Sequence, residues 1–428
     1  MQPMQVLFVA QLIPLVAAAT AMVIYWTVVF TRIRQTTRQL PTGIDGIALA
    51  EARTEPDISV LVVVPAHNEA GSIGPLIRSL REQDHERFHV ALALDRCTDG
   101  TAAVARREID GDARFEVIEI DECPEGWAGK VNAVRTAVDR SAFTPEAELL
   151  LFTDADCVFH PSCLRAAAAL SEDRSLDLLS FLSEYPAEAW FELIVQPTAG
   201  FELMRQYPLL RANRVDDRQR PFSNGQFMLF RASFYRDIGG HEAVKDELLE
   251  DLALGRLVKQ RGGRAGALLG DGIVRCRMYE TWEQFRTGWK RIYIEAAQRR
   301  STRLRTSGLR LRLMSVLLPI LTGVLGIGTA WTCLSWDDAP LFWLIPAAVA
   351  AVGLTPYAAS ILRIYRMARI TPFAAPMAPI GAALVSRLIF EAARELSSGE
   401  PTVWGGRTYV REDRSRAPKQ ARKTAGAS

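Results

Sequence analysis

Long apolar stretches lie near both ends of the chain, and a polar region separates them. Residues 6–30 carry no charged side chain and are long enough for a helix that spans a bilayer. Residues 313–336 and 341–362 form two further candidate spans, and residues 372–390 form a fourth apolar stretch that is interrupted by prolines and by Arg387. The pattern predicts a multi-pass membrane protein with a large polar domain between its first two spans.

The first apolar stretch could also be a cleaved signal peptide. Such a peptide has a basic start, a shorter apolar run and a cleavage site of small residues. Here the start is uncharged, and Arg32, Arg34 and Arg38 follow the apolar run. This pattern predicts an uncleaved anchor over residues 1–35 whose C-terminal side lies in the cytoplasm.

Charges around the two late spans predict the same orientation. The loop between them carries Asp337 and Asp338 and neither lysine nor arginine. Arginines flank the hairpin of residues 313–362 on its other sides, namely Arg299, Arg300, Arg303, Arg305, Arg310 and Arg312 before it and Arg363, Arg366 and Arg369 after it. Because basic loops stay inside, the hairpin tip is expected outside and the polar domain on the cytoplasmic face of the cell (inner) membrane.

The fourth apolar stretch has two interpretations. As a span, it would place the basic tail, residues 397–428, outside. As a re-entrant or interfacial segment over residues 372–396, it would return the tail to the cytoplasm, and the basic side chains of the tail favour this interpretation. The predicted C-terminal membrane region therefore covers residues 311–396.

In the polar region, apolar strands alternate with helices. Residues 58–64 form a continuous apolar, β-branched run that Pro65 ends, which is typical of a strand buried on both faces in a parallel sheet. The pattern predicts strands at residues 58–64, 88–94, 115–120 and 149–153 and helices at residues 72–83, from Thr101 and from Lys130. We expect an α/β sheet, wound mainly parallel, in a domain over residues 57–300 that follows a linker over residues 36–56.

Charge and cysteine content narrow the functional class. A formal net charge of +2 over 428 residues is too small to indicate a nucleic-acid partner. The six cysteines form no CxxC pair and no Cys/His cluster with the spacing of a zinc site. They are expected to be reduced and mostly buried, as in a domain that faces the cytosol.

Polar side chains follow the predicted strands, at the edge of the sheet where ligands bind in such folds. They are His67, Asn68 and Glu69 after the first strand, Asp95 and Asp99 after the second, and Asp154 and Asp156 after the fourth. Two carboxylates one residue apart can both reach a hard divalent cation, which would neutralise charge on a nucleotide diphosphate. Because an Asp-x-Asp also occurs in many solvated turns, other motifs must support this interpretation.

Three further motifs support it. Residues 62–69 are Val-Val-Val-Pro-Ala-His-Asn-Glu, residues 94–101 are Leu-Asp-Arg-Cys-Thr-Asp-Gly-Thr, and residues 126–133 are Gly-Trp-Ala-Gly-Lys-Val-Asn-Ala. Together with the Asp-x-Asp they resemble, in order and spacing, the donor half of a family 2 glycosyltransferase with the GT-A fold, a Rossmann-like α/β domain. The resemblance extends over about residues 58–293 and implies a nucleotide-sugar donor.

The resemblance implies a role for each polar residue of the donor half. Asp95 would accept hydrogen bonds from a uracil ring, Glu69 would hold the ribose, and Lys130 would lie near the base and the diphosphate. Asp156 would ligate Mg²⁺ or Mn²⁺, and Asp154 would contact the ribose or the metal.

Four other residues of these motifs bear on donor binding. Pro65 and Asn68 belong to the first donor motif. Arg96 stands where family members usually have a second acidic residue. Asp99 could simply cap the helix that begins near Thr101.

Downstream segments resemble the acceptor half of the same family. They are residues 224–231, which begin Asn224-Gly225-Gln226, and residues 238–241 and 249–254. The resemblance places Asn224, Gly225 and Gln226 on the acceptor side and implies that Asp251 of the Glu250-Asp251 pair is the general base that deprotonates the acceptor hydroxyl. The pair could also be a helix start that the macrodipole favours.

The segment around Trp289, which would also lie on the acceptor side, distinguishes classes within the family. Processive members, and some that glycosylate lipids, have Gln-x-x-Arg-Trp, whereas this chain lacks arginine immediately before Trp289. Trp282, Phe285, Trp289 and Tyr293 recur at roughly helical spacing, which indicates either an amphipathic helix on the membrane surface or a buried core face. Residues 190–210 are a second candidate for a surface helix.

The end of the chain suggests a subgroup. Residues 403–409, which include Trp404 and Arg407, resemble the closing Trp-x-Gly-Arg-x-Tyr of bacterial family members that glycosylate carotenoid- or hopanoid-type lipids. The resemblance implies an inverting hexosyltransferase that moves one sugar from a UDP-sugar to a membrane lipid at the cytoplasmic face. Two alternatives stay open: a processive polysaccharide synthase, and a catalytically inactive, membrane-anchored nucleotide-sugar-binding protein.

Overall fold

The chain divides into two compact units. The computed structural model describes residues 3–52, 58–216, 221–247, 249–334, 343–399, 402–404, 407–409 and 411–415. The helical unit comprises residues 1–38, 187–203 and 280–428, and the sheet unit comprises residues 39–186 and 204–279. Two segments of the predicted 57–300 domain, residues 187–203 and 280–300, therefore belong to the helical unit.

A seven-stranded sheet forms the core of the sheet unit. In chain order the strands of this unit are β1 Val60–Ala66, β2 Phe88–Asp95, β3 Phe115–Ile120, β4 Leu149–Phe152, β5 Cys157–Phe159, β6 Leu178–Leu182, β7 Met228–Arg231, β8 Ala265–Leu269 and β9 Val274–Cys276. The large sheet has the order β3-β2-β1-β4-β7-β6-β8, and β5 pairs with β9. Only β7 runs antiparallel to its neighbours in the large sheet. The mainly parallel α/β sheet predicted from the sequence is confirmed.

Strand β1 lies at the centre of the parallel part, and all seven of its residues are buried. This burial on both faces explains its continuous apolar sequence. The sequence predicted that Pro65 ends this strand, but the strand continues to Ala66. Proline is tolerated there because pairing with β4 has already ended at Val63.

The helices connect and flank these strands. In chain order they are α1 Pro3–Gln39, α2 Gly43–Glu51, α3 Ile73–Arg81, α4 Thr101–Ile109, α5 Gly129–Arg140, α6 Cys163–Asp173, α7 Trp190–Ile194, α8 Gln196–Gln206, α9 Leu209–Ala212, α10 Ala232–Asp237, α11 Glu250–Gln260, α12 Trp282–Ala296, α13 Ser301–Arg312, α14 Leu318–Leu334, α15 Leu344–Met367 and α16 Ala378–Ser398. A π-helical turn, Leu313–Leu317, joins α13 to α14. Thr402–Trp404 and Arg407–Tyr409 form the hairpin β10–β11.

The predicted linker over residues 36–56 is wrong in its central part. Helix α2 occupies Gly43–Glu51, and Thr42 and Asp45 form a capping box at its start. The helix packs on α6, where a Cβ at Gly46 would come within 2.9 Å of the Ala166 carbonyl oxygen. Residues 53–57 lie outside the described part of the chain.

The aromatic face of α12 is buried in protein. Phe285, Trp289 and Tyr293 are each at most 2% exposed. The Trp289 Nε1 donates to Gln196 Oε1 at 3.2 Å, and the Tyr293 hydroxyl donates to the Ala199 carbonyl at 3.1 Å. The prediction of a helix lying on the membrane surface is therefore wrong for these residues, and the alternative of a buried core face is correct.

The second candidate surface helix, residues 190–210, is not one continuous helix. It consists of α7, α8 and the start of α9. Pro208 directly precedes α9, and Pro197 lies in the first turn of α8, where a missing N–H costs little.

Four helices of the described residues are long and apolar enough to cross a membrane. They cover Val6–Gln39, Ser301–Leu334, Leu344–Met367 and Pro372–Ser398. The first contains the predicted span of residues 6–30, and the second and third contain most of the predicted spans 313–336 and 341–362. Residues 335–342 of those two spans and their loop lie outside the described part of the chain. The fourth helix contains the stretch with two interpretations.

Helix α16 begins close to the start of the apolar run that leads through Leu313–Leu317 into α14. In α1, Trp26 Nε1 donates to the Met314 carbonyl at 3.0 Å, and Trp26 shares a buried cluster with Ala378, the first residue of α16. From there α16 follows α13, because the Ser386 hydroxyl donates to the Gly308 carbonyl at 3.0 Å. Helix α16 thus lies beside the arginine-rich helix that precedes the apolar part of α14.

Candidate active site

The parallel strands β1, β2 and β4 bring the predicted donor residues to one edge of the sheet. Glu69 follows β1, Asp95 ends β2, and Asp154 and Asp156 follow β4. Because parallel strands end on the same side, these carboxylates from distant parts of the chain become neighbours. In addition to burial, the negative charges of Asp154 and Asp99 act on Glu69 and raise its pKa. Those of Asp154 and Glu69 add to burial at Asp156 in the same direction.

The turn after β1 is held by the loop after β2. Asn68 has a left-handed backbone with φ of 58°, and its Oδ1 accepts from the Thr98 N–H at 2.8 Å. The Glu69 N–H donates to Thr101 Oγ1 at 2.8 Å, and the Ser72 hydroxyl donates to the Glu69 carboxylate. Burial raises the pKa of Glu69. The turn is therefore fixed, and its carboxylate is placed at the edge of the sheet.

Asp99 caps its own turn. Its Oδ1 accepts from the Thr101 N–H at 3.1 Å, and its Oδ2 accepts from the Ala70 N–H at 3.0 Å. Asp99 thus satisfies the first N–H of α4, although Gly100 and not Asp99 is the N-cap residue of that helix. Its bond to Ala70 ties the β2 loop to the β1 loop.

Asp95 is engaged by the residue that follows it. Arg96 Nε donates to Asp95 Oδ1 at 2.9 Å, and Arg96 Nη2 donates to Asp95 Oδ2 at 2.7 Å. Arg96 has a left-handed φ of 49°. The pair lies beside Gly129, where a Cβ would be 3.2 Å from Arg96 Nη2. A ligand that bonds to the Asp95 carboxylate must therefore share it with this guanidinium.

Lys130 joins the two predicted halves of the site. Its Nζ lies 2.6 Å from Asp154 Oδ1 and 2.6 Å from Glu250 Oε1. Although burial alone would raise the pKa of Glu250, the Lys130 ammonium holds it below its usual range. The two carboxylates likewise hold the pKa of Lys130 well above its usual value, against the effect of burial. The sequence suggested Lys130 for the donor but gave no sign of its bond to Glu250.

Asp154 and Asp156 form a donor set that suits a hard divalent cation. Burial, together with the negative charge of Asp154, raises the pKa of Asp156 to about 7. A cation between the two carboxylates would relieve this repulsion, and carboxylate oxygens are preferred ligands of Mg²⁺ and Mn²⁺. The residues present therefore fit the predicted metal.

Asp156 is also bound by a residue that the sequence did not indicate. Cys276 Sγ donates to Asp156 Oδ1 at 3.2 Å, and Gln226 Nε2 donates in turn to Cys276 Sγ at 2.9 Å. Cys276 lies opposite Cys157 in the β5–β9 pair, and the ligand atoms of Asp156 and both cysteines lie within 4.8 Å of one another. No sequence pattern relates position 276 to position 156, since only the strand pairing brings them together.

The acceptor-side motif begins this chain of hydrogen bonds. Asn224 Nδ2 donates to Gln226 Oε1 at 3.1 Å and to the Phe181 carbonyl at 3.0 Å. The Tyr185 hydroxyl also donates to Gln226 Oε1, at 3.3 Å. Gln226 therefore has a fixed orientation, with its amide directed at Cys276.

Asp251 lies beside the same motif. Its Oδ2 accepts from the Gly225 N–H at 3.0 Å, and its Oδ1 accepts from the Leu252 N–H at 2.7 Å. Burial and the neighbouring charge of Glu250 raise the pKa of Asp251 to about 6. The bond to Leu252 is also what a helix-start residue would make, so both interpretations of this pair have structural support. A carboxylate with this pKa can accept a proton near neutral pH.

The remaining predicted acceptor-side residues, Trp289, Trp404 and Arg407, belong to the helical unit. Trp289 is buried in the helical unit. The side chains of Trp404 and Arg407 lie outside the described part of the structure, which gives only the backbone of β10 and β11.

Residues 61–239 match the family model "Glycosyl transferase family 2". In the curated proteins, the 4,4'-diaponeurosporenoate glycosyltransferase of Staphylococcus aureus strain MRSA252 is 28% identical over 239 residues, which are 54% of this chain and 60% of the relative. The match thus spans less than two thirds of that relative's length. The strain USA300 protein of the same name is 27% identical over the same lengths.

Solved structures show weaker similarity. A mannosyltransferase from Pyrobaculum calidifontis, solved with GDP-Man and Mn²⁺, covers 90% of this chain and 99% of its own length at 18% identity and a TM-score of 0.45.

The family model matches residues 61–239. These residues contain β1 to β4, the predicted donor carboxylates, Lys130 and the Asn224–Gln226 motif. The part of the chain that matches the model of glycosyl transferase family 2 therefore includes the sheet edge that carries these groups.

Proposed function

We propose that this protein transfers one sugar, with inversion, from a UDP-sugar to a membrane lipid at the cytoplasmic face of the membrane. The observation that carries the proposal is the Lys130 bridge, 2.6 Å from Asp154 on the donor side and 2.6 Å from Glu250 on the acceptor side. It links the groups that would hold a sugar diphosphate to the pair that would activate an acceptor. This bridge supports a single site in which donor and acceptor would meet.

On the donor side, the chain offers acceptors for the nucleoside and charge for the diphosphate. Glu69 would accept from the ribose hydroxyls, and Asp95 would accept from the uracil N–H while it keeps part of its bond to Arg96. Asp154 and Asp156 would hold Mg²⁺ or Mn²⁺, which supplies positive charge to the diphosphate leaving group. Lys130 adds a second positive charge beside Asp154.

On the acceptor side, Asp251 would act as the general base. As the acceptor oxygen forms its bond to the anomeric carbon, the bond from that carbon to the phosphate oxygen breaks, and the hydroxyl proton passes to Asp251. The N–H groups of Gly225 and Leu252 hold the carboxylate for this step. One displacement of this kind inverts the configuration.

A lipid acceptor is proposed from three features. The curated relatives are named for a carotenoid-type acid, the described chain contains four candidate membrane spans, and residues 403–409 resemble those of lipid-glycosylating family members. The absence of arginine immediately before Trp289 disfavours the processive synthase.

For the membrane orientation, we retain the interfacial interpretation of residues 372–396. Helix α16 begins near Trp26 and Met314 and then runs beside α13, which carries four arginines within Ser301–Arg312. The charged residues of α16 are Arg387, near the middle, and Glu391, Arg394 and Glu395 in the second half. Such a helix is better suited to the headgroup region than to the hydrocarbon core.

The test combines a donor panel with a lipid extract. The purified full-length protein is incubated with individual UDP-sugars, Mn²⁺ and total bacterial lipid, and the lipids are analysed by mass spectrometry. We expect one UDP-sugar to yield a lipid heavier by a single sugar residue. A ladder of products would indicate a polysaccharide synthase, and donor binding without turnover would indicate an inactive binding protein.

Two controls test the metal and the site. Asp156→Ala should abolish turnover and leave the circular dichroism spectrum unchanged, whereas Asp237→Ala, at an exposed position of α10, should keep full activity. Full activity of the wild type in excess chelator would remove the metal from the mechanism.

A further inference from the structure

A groove lies between α13 and α16 on the outside of the helical unit. Arg305, Thr306 and Leu309 line it from α13, and Phe390 and Arg394 line it from α16. Its volume is about 400 Å³. Leu309 is 53% exposed, although it is a large apolar side chain. The groove therefore combines an apolar floor with two guanidinium groups at one end.

The position of the groove along the helices matches the boundary between headgroups and hydrocarbon. The arginines of α13 end at Arg312, and an apolar run begins at Leu313 and continues through α14. Leu309 lies one turn before this boundary and Arg305 lies two turns before it. A ligand in the groove would therefore have its polar end among headgroups and its apolar end directed at the hydrocarbon.

The charge of the groove is positive because the nearby acids have other partners. Glu391 is bound to Arg286 at 3.0 Å, and Glu395 is bound to Lys290 at 2.5 Å. Within the described residues, neither Arg305 nor Arg394 has a carboxylate partner, and both are exposed. The groove thus offers two guanidinium groups to a ligand, and guanidinium groups bind phosphate in a fork geometry.

Parts of this chain are poor candidates to fill the groove. The tail after Arg414 carries Arg416, Lys419, Arg422 and Lys423 and no acid, so the arginines of the groove would repel it. The acidic residues Asp337 and Asp338 come after Leu334, the end of α14, in the sequence. Leu334 is 25 residues from Leu309, which corresponds to roughly 38 Å of helix at 1.5 Å per residue. The helix end that precedes these acids is therefore too far from the groove for them to fill it.

We infer that this groove binds an anionic phospholipid of the membrane. Arg305 and Arg394 would take the phosphate of the headgroup, and Leu309 and Phe390 would take the start of an acyl chain. Basic pockets between helices near a membrane surface bind acidic headgroups by the same physics. The inference concerns binding in the helical unit and does not depend on the proposed sugar transfer.

The test is a lipid titration of the purified full-length protein in detergent, read by native mass spectrometry. Dioleoyl phosphatidylglycerol is compared with dioleoyl phosphatidylcholine, which has the same chains and no net charge. We expect one phosphatidylglycerol to be retained preferentially. The double variant Arg305→Gln/Arg394→Gln should weaken its apparent affinity by roughly thirty-fold, since each arginine near a membrane surface contributes about a fivefold factor.

A matched variant and a competitor make the test specific. Arg303→Gln removes the same charge from the same helix, at a position that does not line the groove, and should leave the affinity unchanged. Leu309→Gln should weaken binding while both arginines remain. Equal retention of the two lipids, an equal loss in Arg303→Gln, or displacement of the lipid by inorganic phosphate at matched concentration would overturn the inference. Because all these positions are exposed, the variants should fold, and their melting temperatures check this.

Discussion

Gly225 lies beside Lys130 of the predicted donor half and beside the Glu250-Asp251 pair. Its N–H donates to Asp251, and a Cβ there would lie 3.1 Å from Lys130 Nζ and 3.4 Å from Glu250 Oε1. Gly225→Ala should displace the ammonium by a few tenths of an ångström and lower kcat/KM by roughly ten- to a hundredfold, because misplaced charged groups lose alignment. Steady-state kinetics check this. Gly71→Ala is the control, since a Cβ there meets no atom within 4 Å, and equal losses in both variants would contradict the explanation.

Asp251 can be tested by removing only its basicity. Asp251→Asn keeps the shape of the side chain and should lower kcat by roughly 10²–10⁴-fold, the usual range for general-base catalysis. Donor affinity, measured by calorimetric titration with UDP, should change little because the predicted donor contacts follow β1, β2 and β4, whereas Asp251 lies in α11. Near-normal turnover of Asp251→Asn together with loss in Glu250→Gln would assign the base to Glu250. If both variants kept activity, the pair would be a helix start alone.

The pH profile should report the same carboxylate. Since burial and Glu250 raise the pKa of Asp251 to about 6, the group is ionised above that pH and protonated below it. A base must be ionised, so kcat/KM at saturating Mn²⁺ should be level above about pH 7 and fall about tenfold per pH unit well below 6. The residual activity of Asp251→Asn should lack this acid limb. A limb of unchanged position in that variant would assign it to another group.

Single residues differ in how far the sequence predicted them. Glu69, Asp154 and Asp156 stand in local motifs at strand ends, and a parallel sheet necessarily gathers such residues. The bidentate grip of Arg96 on Asp95 needed the left-handed turn at Arg96, which no residue type signals there. The roles assigned to these residues stay predictions until the variants are measured.

The short β5–β9 pair positions a thiol beside a predicted metal ligand. It places the Cys276 thiol 3.2 Å from Asp156 Oδ1. Cys276→Ala should raise the Mn²⁺ concentration for half-saturation by roughly tenfold, since losing a group that orients a metal ligand commonly costs that much affinity. Electron paramagnetic resonance of Mn²⁺ in the presence of UDP measures this binding directly.

Two further variants isolate the hydrogen bond from the volume of the side chain. Cys276→Ser keeps a donor and should retain near-normal Mn²⁺ binding. Cys163→Ala removes an equally buried thiol from α6 that makes no hydrogen bond to Asp156, and should have no effect. If serine bound Mn²⁺ as poorly as alanine, the thiol would serve packing only.

Strands and helices were predicted correctly where their pattern of apolar and polar residues allowed a single interpretation. The strands β1 to β4 were found within two residues because each is a short apolar run between turns. Helix α2 was missed although Thr42 and Asp45 carry the capping signal, because glycine and proline around them indicated a linker. The aromatic repeat of α12 was ambiguous, since the same spacing suits lipid or a protein core, and only the polar partners Gln196 and Ala199 distinguish them.

At the scale of the molecule, the topology can be tested at both sides of the hairpin. A reporter fused after Ser428 should be cytoplasmic, because the arginines around α13 and α16 are expected to stay inside. A reporter inserted beside Asp337 should be outside. Both are read with paired reporters that are active on opposite sides. An external signal from the C-terminal fusion would show that residues 372–396 cross the membrane.

The division into two units has a consequence for synthesis. Residues 187–203 leave the ribosome before the second half of the sheet unit, yet Phe191 packs on Phe285, with ring centroids 5.2 Å apart, and Gln196 bonds to Trp289. These partners are made about 90 residues later, so an apolar stretch in the middle of the nascent chain must wait for them. The helical unit therefore cannot mature before the sheet unit has been translated, and residues 187–203 should be most vulnerable to proteases and aggregation in that interval.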